Sequence, residues 1–425
     1  MQVQLKYGED MVSLSLDGAE QVTYLEEKPV PVIQDLKEAF LRAVTVECVE
    51  SAPLRDVIVP EDKVTIVVSD ITRYWMRPDK ICPLLVSYLC EEIGVPEKNI
   101  IFLVALGTHR PQTPEEMEKL LSPEVCRRFS SVNHDCLSPD LVEVGVTARG
   151  THVRVNPLVV GRKVILLSGT VHHLMSGFGG GRKSILPGVS AQSTINQNHI
   201  HALDPNAPRS NPLIGMGILT ENPVHEDMVE AAAYVKPAFG VNLVVNGRSE
   251  HCAIVCGHWL KAWEKSCRMV QEFFGLPIAH KADVVIASCG GYPKDINLYQ
   301  AVKTLLNAAQ AVKDGGTLVF LARCQEGGGT PAFFDWIKPL AQGRLDEALR
   351  EHFTIAGYIF YAACEAIRKG KVLMLTELPA DTVAPMALEA CRSVEELQRR
   401  LIVQGKQVYV MPFGGSIVPF VPEKQ

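Results

Sequence analysis

The chain has 425 residues, of which 47% are hydrophobic, so it can form two or three domains with substantial cores. A formal net charge of −6 with interspersed signs argues against nucleic acid as the main partner. The sequence lacks a charged N-terminal segment followed by an apolar run, and it has no apolar run of about 18 residues. We therefore expect a cytoplasmic protein with no membrane partner. The 12 scattered cysteines, without a CxxC pair, fit reduced thiols.

Hydrophobic periodicity predicts a chain of alternating strands and helices. The first half is expected to contain a hairpin over residues 1–16, helices over 33–44, 79–93, 222–234 and from Thr113, a hairpin over 142–160, and strands over 64–68, 100–105, 164–167 and 239–245. A helix is also expected over 259–274, at the end of the first half. The second half is expected to contain a helix up to 312 and strands over 283–288, 316–321, 372–375 and 408–411.

This alternation predicts an α/β fold of two domains with mostly parallel, Rossmann-like sheets and an active site in the cleft between them. Residues 1–275 are expected to form the N-terminal α/β domain, and residues 276–405 the C-terminal one. The tail, 406–425, could return to the first domain. Gly275-Leu-Pro277 marks the boundary because glycine and proline interrupt regular structure.

Polar side chains follow three of the expected strands, at the point where each strand ends. Ligands bind at the carboxyl ends of strands in open α/β sheets, so parallel neighbours would bring these side chains to one edge. The three clusters are Asp70, Thr72 and Arg73, then Thr108, His109 and Arg110, then His172 and His173.

The third cluster continues into Gly177-Phe-Gly-Gly-Gly-Arg-Lys-Ser184. This segment departs from the phosphate-loop pattern G-x-x-x-x-G-K-[ST], because Arg182 replaces the second glycine. Glycines at 179, 180 and 181 would still allow close approach of a phosphate, and Arg182 and Lys183 supply positive charge. Lys183 could also be a covalent attachment point, since an amine becomes nucleophilic when nearby cations lower its pKa. A flexible turn with solvated basic residues is the alternative.

Three histidines are candidates for the chemistry. His109 and His173 both follow strand ends and could face each other across a ligand as an acid/base pair, which is the arrangement a racemase or epimerase needs. His199 lies on a predicted helix and could be a metal ligand or a core residue. Any one of these histidines could instead be structural.

Two other groups of residues could bind ligands. Gln300 and Lys303 lie three apart after Tyr299, on one face of a predicted helix, and could recognise a carboxylate or form a solvated face. Cys252, Cys256 and His258 have spacing that zinc could use, but no fourth ligand is evident and the residues between the cysteines are typical of a strand.

Taken together, these segments resemble the lactate racemase family, the nickel-pincer nucleotide enzymes. The matching motifs are D-I-T-R from Asp70, G-T-H-R from Gly107, H-x-x-x-G-F-x-G-G-x-K from His173, S-I-L-P-G to Gly188, N-x-N-H ending at His199, and G-G-Y-P-K-D-x-N-L-Y-Q-x-V-K from Gly290. The resemblance extends over nearly the whole chain.

The resemblance implies an isomerase, a racemase or epimerase of lactate or a related or larger 2-hydroxy acid. The implied cofactor is a nickel pyridinium-3,5-bisthiocarboxylic acid mononucleotide, carried covalently by Lys183, with His199 as the protein ligand to nickel. The implied reaction is reversible hydride transfer from the substrate Cα, which would avoid a carbanion beside a carboxylate. Cofactor-synthesis proteins would be partners during maturation.

The resemblance also implies individual roles. The acid/base residues would be His109 and His173. The cofactor would be bound by Asp70, Thr72, Gly179, Gly180, Gly181 and Arg182, besides Lys183. The substrate would be held by Arg73, Tyr299, Gln300 and Lys303.

Two segments depart from the family pattern. Tyr74-Trp75 follow Arg73 where relatives have proline, and residues 356–361 lack the tryptophan or Gly-His-Lys of relatives. Two alternative functions stay open: a nucleotide-binding phosphotransferase that uses the glycine-rich loop, and a non-catalytic cofactor-binding protein.

Overall fold

The computed structural model describes residues 1–422, so the last three residues of the predicted tail, 423–425, lie outside it. Twenty strands occur along this part of the chain. They are β1 Gln2–Tyr7, β2 Asp10–Ser15, β3 Gln21–Tyr24, β4 Val64–Ser69, β5 Ile100–Ala105, β6 Ser130–Asn133, β7 Val142–Val146, β8 His152–Val155, β9 Lys163–Gly169, β10 His172–His173, β11 Gly177–Phe178, β12 Phe239–Val245, β13 His251–Gly257, β14 Gly275–Pro277, β15 Ala282–Ser288, β16 Val312–Leu321, β17 Lys371–Leu375, β18 Leu388–Cys391, β19 Gln407–Met411 and β20 Val418–Phe420.

Fifteen α-helices occur in the same described range, and several connections are 3-10 turns. The helices are α1 Leu36–Thr45, α2 Leu54–Val57, α3 Cys82–Ser87, α4 Pro114–Leu121, α5 Pro123–Arg128, α6 Gln192–His199, α7 Pro223–Val235, α8 Lys261–Phe274, α9 Leu298–Ala308, α10 Pro331–Phe334, α11 Ile337–Ala341, α12 Leu345–Glu351, α13 Ile355–Arg368, α14 Ala380–Val383 and α15 Val394–Arg400.

The chain divides into two compact units. The N unit contains residues 29–205 and 211–273, and the C unit contains residues 1–28, 206–210 and the described chain from 274 onward. The observed division at 273 and 274 lies beside the predicted boundary. However, the first 28 residues belong to the C unit, which differs from the predicted N-terminal domain.

The N unit is built around a six-stranded sheet in the order β13-β12-β9-β4-β5-β6. All neighbours in it are parallel except β13, which runs antiparallel to β12 at one edge. The central strands β4 and β9 are almost wholly buried, as strands covered on both faces must be. This sheet confirms the α/β fold with mostly parallel strands that the periodicity predicts.

One predicted helix of the N unit is broken into three pieces. Residues 79–93 form a 3-10 turn over Pro78–Lys80, the α-helix α3, and a π-helical turn over Tyr88–Ile93. Pro83 fits only the first turn of an α-helix, so regular helix begins at Cys82. By contrast, α4 has the predicted capping box, because the Thr113 hydroxyl and the Glu116 carboxylate each accept a main-chain N–H.

The C unit has its own six-stranded sheet in the order β18-β17-β16-β15-β19-β3, with every pair parallel. β3 comes from the N-terminal segment and pairs with β19, while β20 pairs with β14. The buried side chains of the β1–β2 hairpin, Val3, Leu5 and Leu14, pack into the core of this sheet. These pairings explain why the N-terminal segment belongs to the C unit, and they place the tail strands there too, not in the first domain.

Within residues 1–422, no helix combines the length and the apolar character that crossing a lipid bilayer would require.

Candidate active site

The three strands with polar C-terminal clusters are neighbours in the N unit. β4 lies between β9 and β5 and is parallel to both, with Val68 opposite Leu167 and Val104. The carboxyl ends of the three strands therefore meet at one edge of the sheet. The convergence of the clusters that follow Ser69, Ala105 and Gly169 is thus confirmed.

At this edge, four side chains form a continuous hydrogen-bonded chain. An Arg73 guanidinium N–H donates to Thr72 Oγ1 (2.9 Å), and the Thr72 hydroxyl donates to Asp70 Oδ1 (2.5 Å). The other carboxylate oxygen of Asp70 is in contact with His109 Nδ1. The 3-10 turn Ile71–Met76 supports this arrangement, since Asp70 caps its first turn through the Thr72 main-chain N–H. Thr72, which is expected to bind the cofactor, joins Arg73 and Asp70 through its hydroxyl.

The carboxylate of Asp70 fixes the orientation of His109. Burial raises the pKa of Asp70, but hydrogen bonds from His109 and Thr72 outweigh that effect, and the pKa lies below its usual value. An ionised carboxylate only accepts hydrogen bonds, so His109 Nδ1 carries a proton and Nε2 is the basic nitrogen. The His109 side chain is 45% exposed while that of Asp70 is only 3% exposed. A buried carboxylate therefore orients an imidazole that solvent can reach.

The glycine-rich loop starts directly after β9. The short strands β10 and β11 form an antiparallel turn, and a 3-10 turn over Gly181–Ser184 follows. Gly180 and Gly181 have φ of +74° and +54°, and a Cβ on them would lie 2.6 Å from Gly169 O and 2.4 Å from the Trp263 ring. Only glycine fits both positions, so these two glycines are required by the loop's backbone and packing.

Lys183 and His173 are brought together by this loop. Lys183 Nζ lies 3.4 Å from His173 Nε2. The Nδ1 atom of His173 faces the main-chain N–H groups of Met175 (3.2 Å) and Ser176 (3.3 Å), so it is an acceptor and the neutral ring carries its proton on Nε2.

The electrostatics of this pair favour two neutral side chains. Burial, followed by the charges of Arg182 and Arg73, holds the pKa of Lys183 well below its usual value. Burial and then the charge of Lys183 likewise hold the pKa of His173 well below its usual value. An uncharged lysine amine is nucleophilic, which is the property that covalent attachment of a ligand requires.

Arg182 lies in the protein interior, although a solvated cation or a phosphate ligand was expected at this position. Arg182 is fully buried, and its guanidinium donates to three loop carbonyls and to His225 Nδ1. It also lies 3.9 Å from the centre of the Trp263 ring. Burial lowers its pKa to about 9. The expectation that its side chain supplies charge to a phosphate is therefore at odds with this geometry.

His199 is held as a neutral imidazole at the C-terminal end of α6. Its Nδ1 lies 2.9 Å from the carbonyl of Ile195, so that nitrogen is the donor and Nε2 has the lone pair that a metal ion would need. Burial, and then the charge of Lys183, lowers its pKa to about 3. The preceding residue, Asn198, anchors the helix through a hydrogen bond to the buried Asp227 carboxylate (2.8 Å).

The remaining predicted substrate residues lie in the C unit, at the start of α9. Gln300 and Lys303 are both exposed on one face of this helix, and the Asn297 side chain caps its first turn. The Tyr299 ring is half-buried and meets Phe333 edge-on with 5.6 Å between ring centres. As predicted from their spacing, Gln300 and Lys303 lie on one face of a helix that also contains Tyr299.

The two departures from the family pattern have clear packing roles. The Tyr74 ring lies near two cations, with Lys119 Nζ 4.7 Å and the Arg77 guanidinium 5.4 Å from its centre. Trp75 packs over Gly169, at the end of β9. In the C unit, Gly357 lies in the first turn of α13, and a Cβ there would lie 2.4 Å from the Trp336 ring, so a tryptophan from another part of the chain covers this segment.

The possible zinc site is not formed. Cys252 and Cys256 lie in β13, where burial raises the pKa of both thiols. Within residues 1–422, no three His, Cys, Asp or Glu side chains are grouped so as to hold a metal ion by themselves. Any metal at His199 would need most of its ligands from another molecule.

Sequence reasoning did not identify Trp263 and His225, which enclose Arg182. Both lie on helices far along the chain, where Trp263 has only the spacing of an ordinary buried helix residue. Ser168 was also missed, although its hydroxyl accepts the Gly181 main-chain N–H (2.7 Å). No local pattern marks these residues, because their role depends on contacts between distant segments.

Family models and curated relatives match most of the chain. The families described as lactate racemase N-terminal domain and lactate racemase C-terminal domain match residues 7–210 and 278–418. The lactate racemase of Thermoanaerobacterium thermosaccharolyticum is 30% identical over 385 residues, covering 86% of both chains. That of Lactiplantibacillus plantarum is 32% identical over 368 residues, covering 84% of both.

Solved structures show the same fold. The lactate racemase apoprotein from Thermoanaerobacterium thermosaccharolyticum matches with a TM-score of 0.84 and 25% identity, covering 99% of this chain and 100% of that one. A protein from Thermotoga maritima matches with a TM-score of 0.64 and 20% identity, covering 94% and 100%, which supports the fold alone. The family matches span most of the chain, and it therefore belongs to the lactate racemase family and is an isomerase of the racemase class.

Proposed function

We propose that the enzyme racemises lactate or a related, larger 2-hydroxy acid, using His109 and His173 as its acid/base residues. The observation that carries the proposal is the contact between Lys183 Nζ and His173 Nε2 (3.4 Å), at the same sheet edge as the Asp70–His109 pair. A nucleophilic amine for attachment and two oriented imidazoles thus follow the carboxyl ends of β9 and β5, the two strands that flank β4. The two curated relatives bear the name lactate racemase, which makes lactate the first substrate to test.

The residues present fit the nickel-pincer nucleotide that the family resemblance implies. Lys183 would hold it through its amine, whose pKa burial lowers, and His199 would donate a neutral Nε2 to the nickel. The carbonyls of Gly177, Phe178 and Gly179 all accept hydrogen bonds from within the N unit, so they are not available to repel a phosphate. When bound, this group supplies the acceptor for the substrate α-hydrogen.

In the proposed mechanism, His109 acts as a base at Nε2. Asp70 accepts the proton of Nδ1, so in the neutral ring the lone pair lies on Nε2, the atom that would take the hydroxyl proton of one substrate enantiomer. The Asp70 carboxylate then stabilises the imidazolium that forms. His109 needs no reorganisation for this step, because its ring is already oriented by the carboxylate.

His173 serves the other enantiomer in this proposal. In the state described here it bears its proton on Nε2 and can donate a hydrogen bond to the substrate oxygen. The Ser176 hydroxyl lies 3.2 Å from His173 Nδ1 and can accept a hydrogen bond from that atom after rotating. A proton moved to Nδ1 would leave Nε2 free to act as the second base.

The substrate carboxylate is assigned to Arg73, whose guanidinium is exposed and donates to Thr72. Guanidinium groups bind carboxylates through paired N–H donors, which would fix the orientation of a 2-hydroxy acid. We assign Tyr299, Gln300 and Lys303 of the C unit to the substrate as well.

Cofactor attachment tests the proposal most directly. The protein is co-expressed with cofactor-synthesis proteins, and intact mass, peptide mass and nickel content are measured. We expect one adduct on Lys183 and one nickel per chain, with neither in Lys183→Ala, whereas Lys163→Ala serves as a matched lysine control that loads normally. An unmodified Lys183 without nickel would refute the cofactor assignment. Magnesium-dependent binding of a nucleoside triphosphate in its place would favour the phosphotransferase alternative.

Substrate and acid/base roles are tested on the loaded enzyme. A panel of single-enantiomer 2-hydroxy acids is scored for loss of optical purity by chiral chromatography. We expect His109→Ala and His173→Ala each to abolish racemisation, while the exposed His152→Ala retains it. Near-normal turnover by either of the first two variants would contradict the two-base arrangement and favour a non-catalytic cofactor-binding protein.

A further inference from the structure

Arg182 is a buried cation whose partners are all uncharged. Its Nη2 donates to Ser176 O (2.6 Å), its Nη1 donates to Phe178 O (2.8 Å) and Gly180 O (3.3 Å), and its Nε donates to His225 Nδ1 (3.1 Å). Removing a guanidinium from water is costly, and no carboxylate is among these acceptors to offset the cost. The burial of Arg182 therefore calls for a structural role that a neutral side chain would not fill.

The contacts of Arg182 are concentrated on one segment, the loop that ends at Lys183. Every carbonyl from residue 176 to residue 180 accepts a hydrogen bond from within the N unit. Arg182 donates to three of them, the Trp263 indole N–H donates to Gly179 O (2.8 Å), and the Gly217 main-chain N–H donates to Gly177 O (3.0 Å). The loop is therefore wound around the guanidinium.

The planar shape of arginine explains why lysine would not serve here. A guanidinium has five N–H donors in a fixed plane and can stack on an aromatic ring while it donates. Arg182 uses both properties, since its guanidinium lies 3.9 Å from the Trp263 ring centre. Gly181 completes the packing, because a Cβ there would collide with the same ring.

We propose that Arg182 is a positioning residue that shapes the loop from inside the protein, so that the adjacent Lys183 points to the opposite side, at His173, where the cofactor is attached. The proposal rests on the proposed function for the identity of the attached group. The loop geometry itself is independent of that identity. Alternation along the chain supports it, since Arg182 is fully buried whereas the next residue, Lys183, is partly exposed and contacts His173.

Arg162 provides a matched control. Its guanidinium also donates to neutral acceptors, namely Thr65 Oγ1 (2.7 Å), Val64 O (2.9 Å) and Asn99 O (2.9 Å). These acceptors lie at the amino ends of β4 and β5, at the opposite edge of the same sheet. Arg162→Lys therefore removes a comparable set of hydrogen bonds without touching the loop.

The test compares Arg182→Lys with Arg162→Lys by two measurements. Hydrogen exchange of the apo protein reports opening of residues 176–183, and intact mass after co-expression with the cofactor-synthesis proteins reports the adduct on Lys183. In Arg182→Lys we expect exchange in the loop to be at least about tenfold faster, exchange in β4 and β5 to be unchanged, and the adduct to fall at least about tenfold. In Arg162→Lys, loop exchange and the adduct should stay at wild-type levels.

Contrary outcomes are distinct. A folded Arg182→Lys protein with loop exchange and adduct within about twofold of wild type would overturn the proposal. If Arg182→Lys does not fold, Trp263→Phe decides, because it keeps an aromatic ring but loses the N–H to Gly179 O and part of the ring area beside the guanidinium. Faster loop exchange supports the proposal, and unchanged exchange overturns it. If the wild-type protein acquires no adduct, the cofactor assignment fails, while the exchange comparison still tests Arg182.

Discussion

At the scale of single residues, the decisive feature is the protonation that each neighbour imposes. His109 and His173 both follow strand ends, yet they differ in the described structure: Asp70 accepts from His109 Nδ1, whereas main-chain N–H groups donate to His173 Nδ1. One ring thus has a basic Nε2 and the other a protonated Nε2. Two identical side chains thus take different tautomers because of the atoms beside them.

Asp70→Asn should damage catalysis much more than folding. The amide can donate to His109 Nδ1 and thereby favour the wrong tautomer, so we expect kcat to fall about 10²- to 10⁴-fold with a small change in KM. The measurement is the racemisation rate of the loaded enzyme at saturating substrate. Glu116→Gln is the control, since that carboxylate pairs with Arg110 at the start of α4 and should keep kcat within about twofold. Equal losses in both variants would show a general effect.

Thr72→Val should weaken substrate binding and catalysis together, because it removes the hydroxyl between Arg73 and Asp70 at nearly constant shape. A lost hydrogen bond to a charged group is worth about 1.5–3 kcal/mol, so kcat/KM should fall about 10- to 150-fold. Thr72→Ser keeps the hydroxyl and should recover most of the activity. The idea is wrong if the serine and valine variants have the same kinetics.

At the scale of elements, the loop from Ser176 to Ser184 shows how backbone freedom and packing combine. Its glycines were expected to give room to a nucleotide, and the structure adds a second requirement from inside, since Gly180 and Gly181 pack against Gly169 and Trp263. The loop is therefore an ordered element with its own internal contacts, although composition alone is also typical of a flexible turn.

Gly181→Ala should destabilise the N unit and reduce attachment at Lys183. The new Cβ would lie 2.4 Å from the Trp263 ring at a φ of +54°, so overpacking and backbone strain add, each costing about 1–3 kcal/mol. Gly150→Ala is the control, because its φ is also positive (+85°) but nothing lies within 4 Å. Urea unfolding, followed by tryptophan emission, measures the free energy of unfolding of both variants. A loss for Gly181→Ala no larger than that for Gly150→Ala would contradict the packing argument.

At the scale of the whole molecule, buried neutral histidines make stability depend on pH. Burial lowers the pKa of both His199 and His225 to about 3, below the value of about 6.5 in an unfolded chain. Between these values the unfolded chain binds more protons than the folded one, so stability is lost as the pH falls below about 6.5. The N unit is therefore expected to be sensitive to acid.

The free energy of unfolding of the apo protein should decrease by up to about 1.4 kcal/mol per pH unit for each such histidine between pH 6 and pH 4. Tryptophan emission follows this transition, since Trp75, Trp259 and Trp263 all lie in the N unit. His225→Asn keeps a hydrogen-bond acceptor for Arg182. It should reduce the slope of unfolding free energy against pH by about the contribution of one histidine. A slope equal to that of the wild type would mean that His225 does not titrate on unfolding.

Local sequence determined the alternation of strands and helices, the capping box at Thr113, and the three polar clusters at strand ends, because these depend on periodicity and on neighbours a few residues away. Even the convergence of Asp70, His109 and His173 followed, since parallel strands place their carboxyl ends at one edge. Only the tertiary structure decided that β3 pairs with β19, that Thr72 joins Arg73 to Asp70, and that Arg182 is enclosed by Trp263 and His225. Those facts depend on burial and on contacts between segments distant in the chain. An arginine beside a glycine run has the same local pattern whether water or a tryptophan covers it.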